Sequence, residues 1–371
     1  MKKKILFIYG QLNGGGAERV LLDILHNIDY SQYEVDLCQI VAGGTLIDEV
    51  PAVVKIIPLW KDYTLWYKIA IRLSNKWGNN YLFKRKIKKK LTKQYDMEIS
   101  FLEGFPLKIH AMMNTTSMKI SWVHCDLFRF PYEADQFRFG EELAAYNKMD
   151  KIVCVSKDAK EAFKKRFPNC TSDVVVIYNP IDSKKIEKLS EAFKPKEKEK
   201  FTIITSGRLT PPKKMDRVLR VAKQFKEEHI DVKFQILGDG ELKDELLDLR
   251  QQLEVEDMVD FLGFQKNPFP YIKQADLMFC CSGYEGFCLV ICEAMCLGVP
   301  VVCTKTSGPI EILESNKYGL LCEHDDESMY KAVKQMVQNK QLLEYYSRHG
   351  KERISMFNPK KTLKKILVCK K

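Results

Sequence analysis

The chain has 371 residues, of which 45% are hydrophobic and 29% are charged, and its formal net charge is +11. This composition excludes an intrinsically disordered chain, and the length suits two α/β domains of ordinary size. The positive charge indicates an anionic partner, which can be a membrane surface, a nucleic acid or a phosphorylated substrate.

The first predicted element is a strand over Ile5–Tyr9. Three lysines precede it, as in a signal peptide, but the apolar stretch stops at Gly10 and no small-residue cleavage site follows. No apolar run reaches the roughly 18 residues that a membrane-spanning helix needs. We therefore interpret this stretch as a buried strand and predict a cytoplasmic protein.

Short apolar strands alternate with amphipathic helical stretches along the chain, which predicts parallel sheets covered by helices. In the first half, strands are predicted at Ile5–Tyr9, Glu34–Ile40, Met97–Phe101, Ile120–Val123, Lys151–Val155 and Val174–Ile177. A second series follows at Thr202–Ser206, Lys233–Leu237, Val259–Phe261, Leu277–Cys280 and Val299–Cys303. The restart predicts an α/β protein with two Rossmann-like lobes, over residues 1–183 and 200–355, and a C-terminal helix over 356–371 that returns to the first lobe.

Basic and aromatic residues are interleaved between Trp60 and Tyr95, where only Asp62 is acidic. This mixture is typical of a segment that rests on an anionic bilayer, and a solvated helix face with core aromatics is the alternative. No nucleic-acid-binding module accompanies it, so we predict no nucleic-acid partner and a peripheral position at the inner face of the cell membrane. The predicted membrane and acceptor patch comprises Trp66, Trp77, Lys84, Arg85, Lys86, Lys88, Lys89 and Lys90.

A glycine cluster, Gly14-Gly15-Gly16, follows the first strand and opens a helix. Glycine lets a ligand approach the backbone closely, and a helix start offers unpaired N–H groups to anionic oxygen. The spacing is not Gly-x-Gly-x-x-Gly, which argues against a nicotinamide cofactor. A simple turn is the alternative interpretation of the cluster.

Two cations follow the first strand of the second lobe, Arg208 in Gly207-Arg208-Leu209 and then Lys213. Cations beyond the carboxyl end of a parallel strand can hold a diphosphate and neutralise the charge that builds on a leaving nucleoside diphosphate. The sequence therefore predicts an anion site at this strand end.

Two glutamates stand eight residues apart, Glu285 just before a predicted helix and Glu293 about two turns inside it. This spacing places the two carboxylates near one face, roughly 12 Å apart, which suits hydrogen bonds to the sugar and ribose hydroxyls of a nucleotide sugar. The amides at the predicted helix start can cradle the phosphates, and they belong to Gly286, Phe287, Cys288 and Leu289.

The twelve cysteines include no Cys-x2-Cys pair, so we predict free thiols and no metal site. Cys288, Cys292 and Cys296 repeat at helical spacing and are interpreted as a stripe of small residues packed on the core, with metal binding or lipidation as the alternative.

The Glu-x7-Glu segment, with Glu-Gly-Phe at its start and Glu-Ala-Met at its end, resembles the signature of glycosyltransferase family 4. Further matching pieces run in order along the chain at Gly15–Arg19, His124, Ser156, Asn179–Asp182, Gly207–Lys213, Gly238–Gly240 and Gly298–Pro300. The resemblance implies the GT-B fold, with two Rossmann-like lobes across a cleft. It also implies transfer of a hexose or N-acetylhexosamine from a nucleotide sugar, most often a UDP-sugar, with retention of anomeric configuration and without metal or cofactor.

By the family pattern, Arg208 and Lys213 hold the diphosphate, Glu293 holds the ribose, and Glu285 with the following loop holds the donor sugar. His124 lies near the transferred sugar. Glycine residues line the donor site, namely Gly15 and Gly16 from the first lobe and Gly207 and Gly238 from the second. The sequence departs from the pattern after the clamp lysine, where Lys214 replaces the usual glycine, so the conformation of that loop stays open.

The resemblance favours a front-face reaction, in which a departing phosphate oxygen helps to deprotonate the acceptor hydroxyl, because the pattern holds no evident covalent nucleophile. The acceptor is predicted to be a glycan, specifically a lipid-linked intermediate of surface polysaccharide assembly. The alternatives are an enzyme that uses a small soluble acceptor and a catalytically silent subunit, and the intact set Arg208, Lys213, Glu285 and Glu293 argues against the second.

Overall fold

The computed structural model describes residues 2–131 and 133–367. They form two compact units, of which the first holds the described residues up to Pro180 together with those from Pro359, and the second holds Ile181–Asn358. Each unit contains one parallel sheet, and helices connect its successive strands.

The sheet of the first unit has seven strands among the described residues, in the order β3-β2-β1-β4-β5-β6-β7. These strands are β1 (Lys3–Tyr9), β2 (Tyr33–Val41), β3 (Lys55–Trp60), β4 (Met97–Ser100), β5 (Met118–Val123), β6 (Lys151–Cys154) and β7 (Asp173–Val176). The helices are α1 (Gly16–Asn27), α2 (Leu65–Trp77), α3 (Tyr81–Lys90), α4 (Phe105–Ala111), α5 (Glu141–Tyr146) and α6 (Lys157–Arg166). The C-terminal helix α15 (Pro359–Leu367) packs against α1.

The sheet of the second unit has six strands in the order β10-β9-β8-β11-β12-β13. These strands are β8 (Phe201–Ser206), β9 (Val232–Leu237), β10 (Val259–Gly263), β11 (Leu277–Cys280), β12 (Val301–Thr304) and β13 (Leu320–Cys322). The helices are α7 (Ser183–Ser190), α8 (Asp216–Glu227), α9 (Lys243–Gln252), α10 (Phe269–Gln274), α11 (Leu289–Cys296), α12 (Ser307–Leu313), α13 (Asp326–Gln338) and α14 (Lys340–Ile354). Helix α7, which the sequence analysis left between the lobes, belongs to this unit and packs against α10 and α11.

The central strands are apolar runs because helices cover both faces of the sheet. All six residues of β5 and all four residues of β11 and β12 are buried. Such runs are what a doubly covered parallel sheet requires, since no face of a central strand meets water.

Two strands, β3 and β13, were not predicted from the sequence. Strand β3 lies at the sheet edge, carries Pro58 and buries only some of its residues, so it lacks the continuous apolar run of a central strand. Strand β13 has three residues, which is too short to produce a pattern. Within the described residues, no helix combines the length and the apolar composition that crossing a bilayer requires.

The strand order reverses once in each sheet. In the first unit the reversal lies between β1 and β4, and in the second it lies between β8 and β11. Loops that leave the carboxyl ends of such neighbouring strands turn to opposite faces and leave a crevice between them, where open α/β sheets bind their ligands. The loops that follow β8 and β11 are therefore the place to look for a site in the second unit.

Candidate functional site

A partly buried ion pair joins these two loops. Lys213 ends a 3-10 turn over Pro211–Lys213 after β8, and Glu285 lies in the loop after β11. Lys213 Nζ lies 2.6 Å from Glu285 Oε1, and the Ser282 hydroxyl donates to the same oxygen at 2.7 Å. The fold thus brings together two predicted site residues that are 72 positions apart.

The pair keeps a positive charge in place at the strand ends. Burial is the largest single effect on the ammonium of Lys213 and lowers its pKa, but the charge of Glu285, the neighbouring cysteines and the hydrogen bond to Glu285 together raise the pKa of Lys213 above its ordinary value. Burial also raises the pKa of Glu285, while Lys213 and the Ser282 hydroxyl act in the opposite direction. Because Lys213 stays protonated, an anion that enters the crevice meets a lysine that is already oriented.

The loop that carries Glu285 is held through its backbone. The Thr304 hydroxyl donates to the carbonyl oxygen of Ser282 at 2.6 Å, and Gly308 N–H donates to the carbonyl oxygen of Glu285 at 3.2 Å. A Cβ on Gly308 would lie 2.4 Å from the carbonyl oxygen of Phe287, so only glycine fits there. The sequence analysis missed Gly308, because its role depends on α12 lying against this loop.

Two predicted donor-site glycines, Gly207 and Gly238, lie side by side at the ends of β8 and β9. Gly207 N–H donates to the carbonyl oxygen of Leu237 at 3.0 Å. Gly238 has a φ of +146°, and a Cβ there would lie 1.9 Å from the carbonyl oxygen of Gly207. The two backbones therefore meet at a distance that no residue larger than glycine allows at position 238. Lys213 lies nearby, because its Cδ would be 3.6 Å from a Cβ on Gly207.

The second predicted cation, Arg208, differs from Lys213 in its surroundings. Its side chain is exposed and makes no hydrogen bond or ion pair to any described residue. A guanidinium in this situation can turn toward a ligand without breaking a contact within the protein.

Glu285 lies before the helix, as predicted, but the helix begins later than predicted, so Glu293 lies about one turn inside it and not two. Helix α11 begins at Leu289, so Glu285 lies in the preceding loop and the helical estimate of their separation does not apply. Cys288 is the N-cap residue of α11 and has a φ of +71°, a left-handed conformation that ends the loop. Glu293 is half-buried about one turn inside α11.

The residues between the glutamates differ in exposure. The Phe287 ring is buried and packs edge-on against Phe357, with ring centroids 5.5 Å apart. Gly286 and Leu289 are half-buried, and Cys288 is buried. Gly286 and Leu289 are therefore the residues of this stretch that keep part of their surface exposed.

The structure also describes the loop where the sequence departs from the family pattern. Lys214 has a φ of +50°, in the left-handed region that glycine adopts more readily than other residues. Position 214, where the family pattern usually has glycine, is therefore left-handed in this chain. Lys214 adopts that conformation, and Lys213 still contacts Glu285.

In the first unit, the glycine cluster occupies the predicted position after β1. Gly15 is the N-cap residue of α1, Gly16 is its first residue, and Gly14 has a φ of +98°. A cavity of about 230 Å³ lies at the carboxyl ends of neighbouring strands. Its lining includes Tyr9, Gln11, Glu18, Tyr63, Tyr67 and Glu133, none of which the sequence analysis assigned to a site.

His124 follows β5 directly and is neutral. Burial lowers the pKa of His124 from 6.5 to about 3, against a smaller effect of the Phe101 carbonyl. Its Nε2 is shielded from solvent and has no hydrogen-bond partner among the described residues. The backbone N–H of His124 donates to Glu103 Oε2 at 2.9 Å.

The predicted surface patch is mostly exposed. Trp66 and Trp77 of α2 are 65% and 56% exposed. The exposed basic residues of α3 are Lys84, Arg85, Lys88, Lys89 and Lys90. Lys86 is instead half-buried, with Nζ 4.6 Å from the ring centroid of buried Trp60, so it contributes to packing.

Two family models match the chain. The model described as "Glycosyltransferase Family 4" matches residues 14–185, and the model described as "Glycosyl transferases group 1" matches residues 186–353. Together they span both units, so the chain belongs to the family 4 glycosyltransferases.

A solved structure shows the same architecture. HepE of Anabaena, crystallised in complex with UDP and glucose, aligns over 98% of both chains with a TM-score of 0.77 at 20% sequence identity. This similarity shows that the chain has the GT-B fold.

Curated relatives match shorter stretches. The N-acetylgalactosamine-N,N'-diacetylbacillosaminyl-diphospho-undecaprenol 4-alpha-N-acetylgalactosaminyltransferase of Campylobacter jejuni is 34% identical over 60% of this chain and 60% of its own length. The N-acetyl-alpha-D-glucosaminyl L-malate synthase of Bacillus anthracis is 33% identical over 51% of this chain and 49% of its own length. The chain thus matches about half to three fifths of the length of these two relatives.

The neutral state of His124 predicts how stability depends on pH. Between pH 6.5 and about 3 the unfolded chain binds a proton at this position that the folded chain does not, so the free energy of unfolding falls as the pH is lowered below 6.5. We expect His124→Gln to reduce that slope by about one proton, or up to about 1.4 kcal/mol per pH unit.

Urea unfolding between pH 7.5 and 5 measures this slope. His229→Gln is the control, because His229 is an exposed histidine. An unchanged slope in His124→Gln would show that His124 is charged in the folded protein.

Proposed function

We propose that this glycosyltransferase transfers a hexose or N-acetylhexosamine from a UDP-sugar to a lipid-diphosphate-linked glycan, with retention of configuration and without a metal ion. The observation that carries the proposal is the Lys213–Glu285 pair at the strand reversal of the second unit. The site holds a fixed cation, a buried carboxylate and close-packed glycine backbone, which are the groups that a nucleotide sugar needs.

Lys213 is the proposed partner of the diphosphate. Its ammonium is oriented before the donor arrives, so it stabilises charge that builds on the leaving phosphate with little rearrangement. Arg208, exposed and without a partner in the described part of the protein, closes on the phosphates from the same strand end. Two protein cations at the diphosphate support a reaction that needs no divalent metal ion.

Glu285 is the proposed partner of the donor sugar. Its Oε1 is already bonded to Lys213 and Ser282, which leaves the second carboxylate oxygen for sugar hydroxyls. Pairing with Lys213 and the hydrogen bond from Ser282 reduce the nucleophilicity of this carboxylate, which supports a front-face reaction over a covalent intermediate. The names of both relatives specify an alpha linkage, which is the outcome expected when an α-linked nucleotide sugar reacts with retention.

His124 is proposed to contact the transferred sugar from the first unit. A neutral imidazole with a shielded, unpartnered Nε2 offers one specific hydrogen bond and no charge. It therefore positions a hydroxyl and does not act as a general acid, since the imidazolium form is not populated at neutral pH. The Gly15–Gly16 helix start is proposed to approach the donor in the same way, through its backbone N–H groups.

A UDP-sugar and a lipid-linked acceptor are favoured among the candidates. HepE was crystallised with UDP and glucose, and the Campylobacter relative is named for an acceptor on diphospho-undecaprenol. Exposed tryptophans beside a run of exposed lysines provide a surface that suits an anionic membrane, where such an acceptor resides. The small acceptor named for the Bacillus anthracis relative supports the alternative of a soluble acceptor.

The first functional prediction concerns Lys213. We expect Lys213→Ala to lower turnover of a UDP-sugar by about 10²- to 10³-fold, because one oriented charge opposite the leaving group is lost. Release of UDP is the measurement, and thermal unfolding checks that the variant is folded. Lys223→Ala, in α8, is the control. The activity of the parent protein is expected to be unchanged in an excess of a divalent-cation chelator.

Turnover within a few-fold of the parent in Lys213→Ala would contradict the assignment of the diphosphate site. Absence of UDP release from every donor tested with the parent protein would instead favour the silent-subunit alternative.

The second functional prediction separates the two glutamates. We expect Glu293→Gln to weaken UDP binding by about 10- to 100-fold, the effect of losing a charged hydrogen bond to ribose. Glu285→Gln is expected to leave UDP affinity within a few-fold of the parent and to lower the rate of transfer, because Glu285 faces the sugar. Calorimetric titration with UDP measures the first effect, and equal losses of affinity in the two variants would show that these roles are wrongly divided.

The third functional prediction concerns the membrane. We expect the parent to bind anionic but not neutral vesicles, with an affinity that falls as salt is added. Each basic residue near an anionic leaflet contributes about 1 kcal/mol, so replacing the five exposed basic residues of α3 by Gln is expected to abolish binding and spare UDP release. Lys86 is kept, because it packs over Trp60.

The control changes five exposed lysines of the second unit to Gln, namely Lys194, Lys196, Lys331, Lys340 and Lys351. Sedimentation with vesicles is the measurement. A parent protein that stays in the supernatant with anionic vesicles at low salt would refute the membrane proposal and leave the soluble acceptor as the better one.

A further inference from the structure

Three buried cysteines meet beside the Lys213–Glu285 pair. Cys280 ends β11, Cys303 lies opposite it in β12, and Cys288 caps α11. Their three sulfur atoms lie within 4.8 Å of one another, and Cys280 Sγ is 3.6 Å from Cys288 Sγ. None of the three is more than 5% exposed.

The fold, rather than the sequence spacing, assembles this cluster. Adjacent parallel strands place Cys280 and Cys303 in register, and the chain returns through the Glu285 loop to bring Cys288 over them. Cys288 adopts φ +71° and ψ +70°, a left-handed conformation that residues with a β-carbon adopt rarely. The other two cysteines of the helical repeat lie outside the cluster, and Cys296 Sγ instead contacts the Ser183 hydroxyl at 3.3 Å.

The geometry suits a soft ion with three ligands. Sulfur ligands at about 2.3 Å from a central ion in a plane stand about 4 Å apart, close to the separations in the cluster. Structural zinc takes four ligands, but Ser282 Oγ, 3.6 Å from Cys280 Sγ, donates its proton to Glu285. Thiolates select Cu(I) among the ions that tolerate fewer ligands.

We propose that Cys280, Cys288 and Cys303 form a three-coordinate site for Cu(I). Binding replaces S–H bonds by Cu–S bonds, and the thiol protons are released to water without any change in oxidation state.

Occupancy of this site alters the donor site, an inference that rests on the proposed function. Cys280 and Cys288 bracket the loop that holds Ser282 and Glu285. Three thiolates and one Cu(I) carry a net charge of −2, and Lys213 contacts Glu285 in the loop between Cys280 and Cys288. Because that charge competes with a diphosphate for the same ammonium, the copper-loaded protein binds UDP more weakly, by about tenfold or more.

Anaerobic titration of the full reduced chain with Cu(I), in competition with a chromophoric Cu(I) chelator, tests the site. We expect one tightly held ion per chain, lost in each of Cys280→Ala, Cys288→Ala and Cys303→Ala. Cys292→Ala is the matched control, since Cys292 is buried in the same unit but outside the cluster, and it is expected to retain the ion. Thermal unfolding of each variant before titration identifies any that do not fold.

Absence of a retained ion in the parent, or retention unchanged in all three variants, would overturn the site. Retention of Zn(II) in preference to Cu(I) would overturn the three-coordinate assignment. UDP is then titrated into the metal-free and loaded parent. Equal UDP affinities would overturn the coupling between the sites, whereas Cu(I) retention without UDP binding in either form would leave the copper site standing and contradict the proposed function instead.

Discussion

The contact between Lys213 and Glu285 is the constraint on which the second unit depends. Glu285 is buried, and its charge is tolerated because the ammonium of Lys213 lies 2.6 Å away, since removing the lysine would leave a desolvated carboxylate without its partner. The loops after β8 and β11 must therefore meet at one distance, and Thr304 and Gly308 hold the second loop there through its backbone. The pair fixes the position of the charge that a diphosphate requires before any donor is present.

The two units differ in the groups that they provide at the carboxyl ends of their strands. In the second unit, buried strands support a charged site, and the glycine contact between β8 and β9 leaves backbone within reach of a ligand. In the first unit, the corresponding edge provides neutral groups, the His124 imidazole and the N-cap of α1, together with a cavity lined by tyrosine and glutamate side chains. The proposed diphosphate site thus depends on charged side chains, whereas the contributions proposed for His124 and the start of α1 are hydrogen bonds without a side-chain charge.

The sequence predicted the features of the structure that depend on runs of consecutive residues. Central strands such as β11 were predictable because an apolar run is what a doubly covered strand requires, whereas β3 with Pro58 and three-residue β13 lack that pattern. Lys213 and Glu285 were chosen as candidate site residues from the sequence. The start of α11 was not predicted correctly, because nothing in the sequence marks Cys288 as left-handed. The role of Gly308 depends on its close approach to the backbone of Phe287, and Cys280 meets Cys303 because their strands are adjacent in the sheet. Residue spacing along the chain predicts neither of these contacts.

The central claim is that Lys213 recognises a diphosphate, and a comparison of UDP with UMP tests it most directly. Calorimetric titration of the parent and of Lys213→Ala with both nucleotides isolates the contribution of the β-phosphate. The account predicts that the parent prefers UDP over UMP by at least about tenfold, the value of a charged hydrogen bond, and that Lys213→Ala reduces this preference to within about threefold. An equal preference for UDP in the two proteins would show that the β-phosphate is bound elsewhere and would contradict the account.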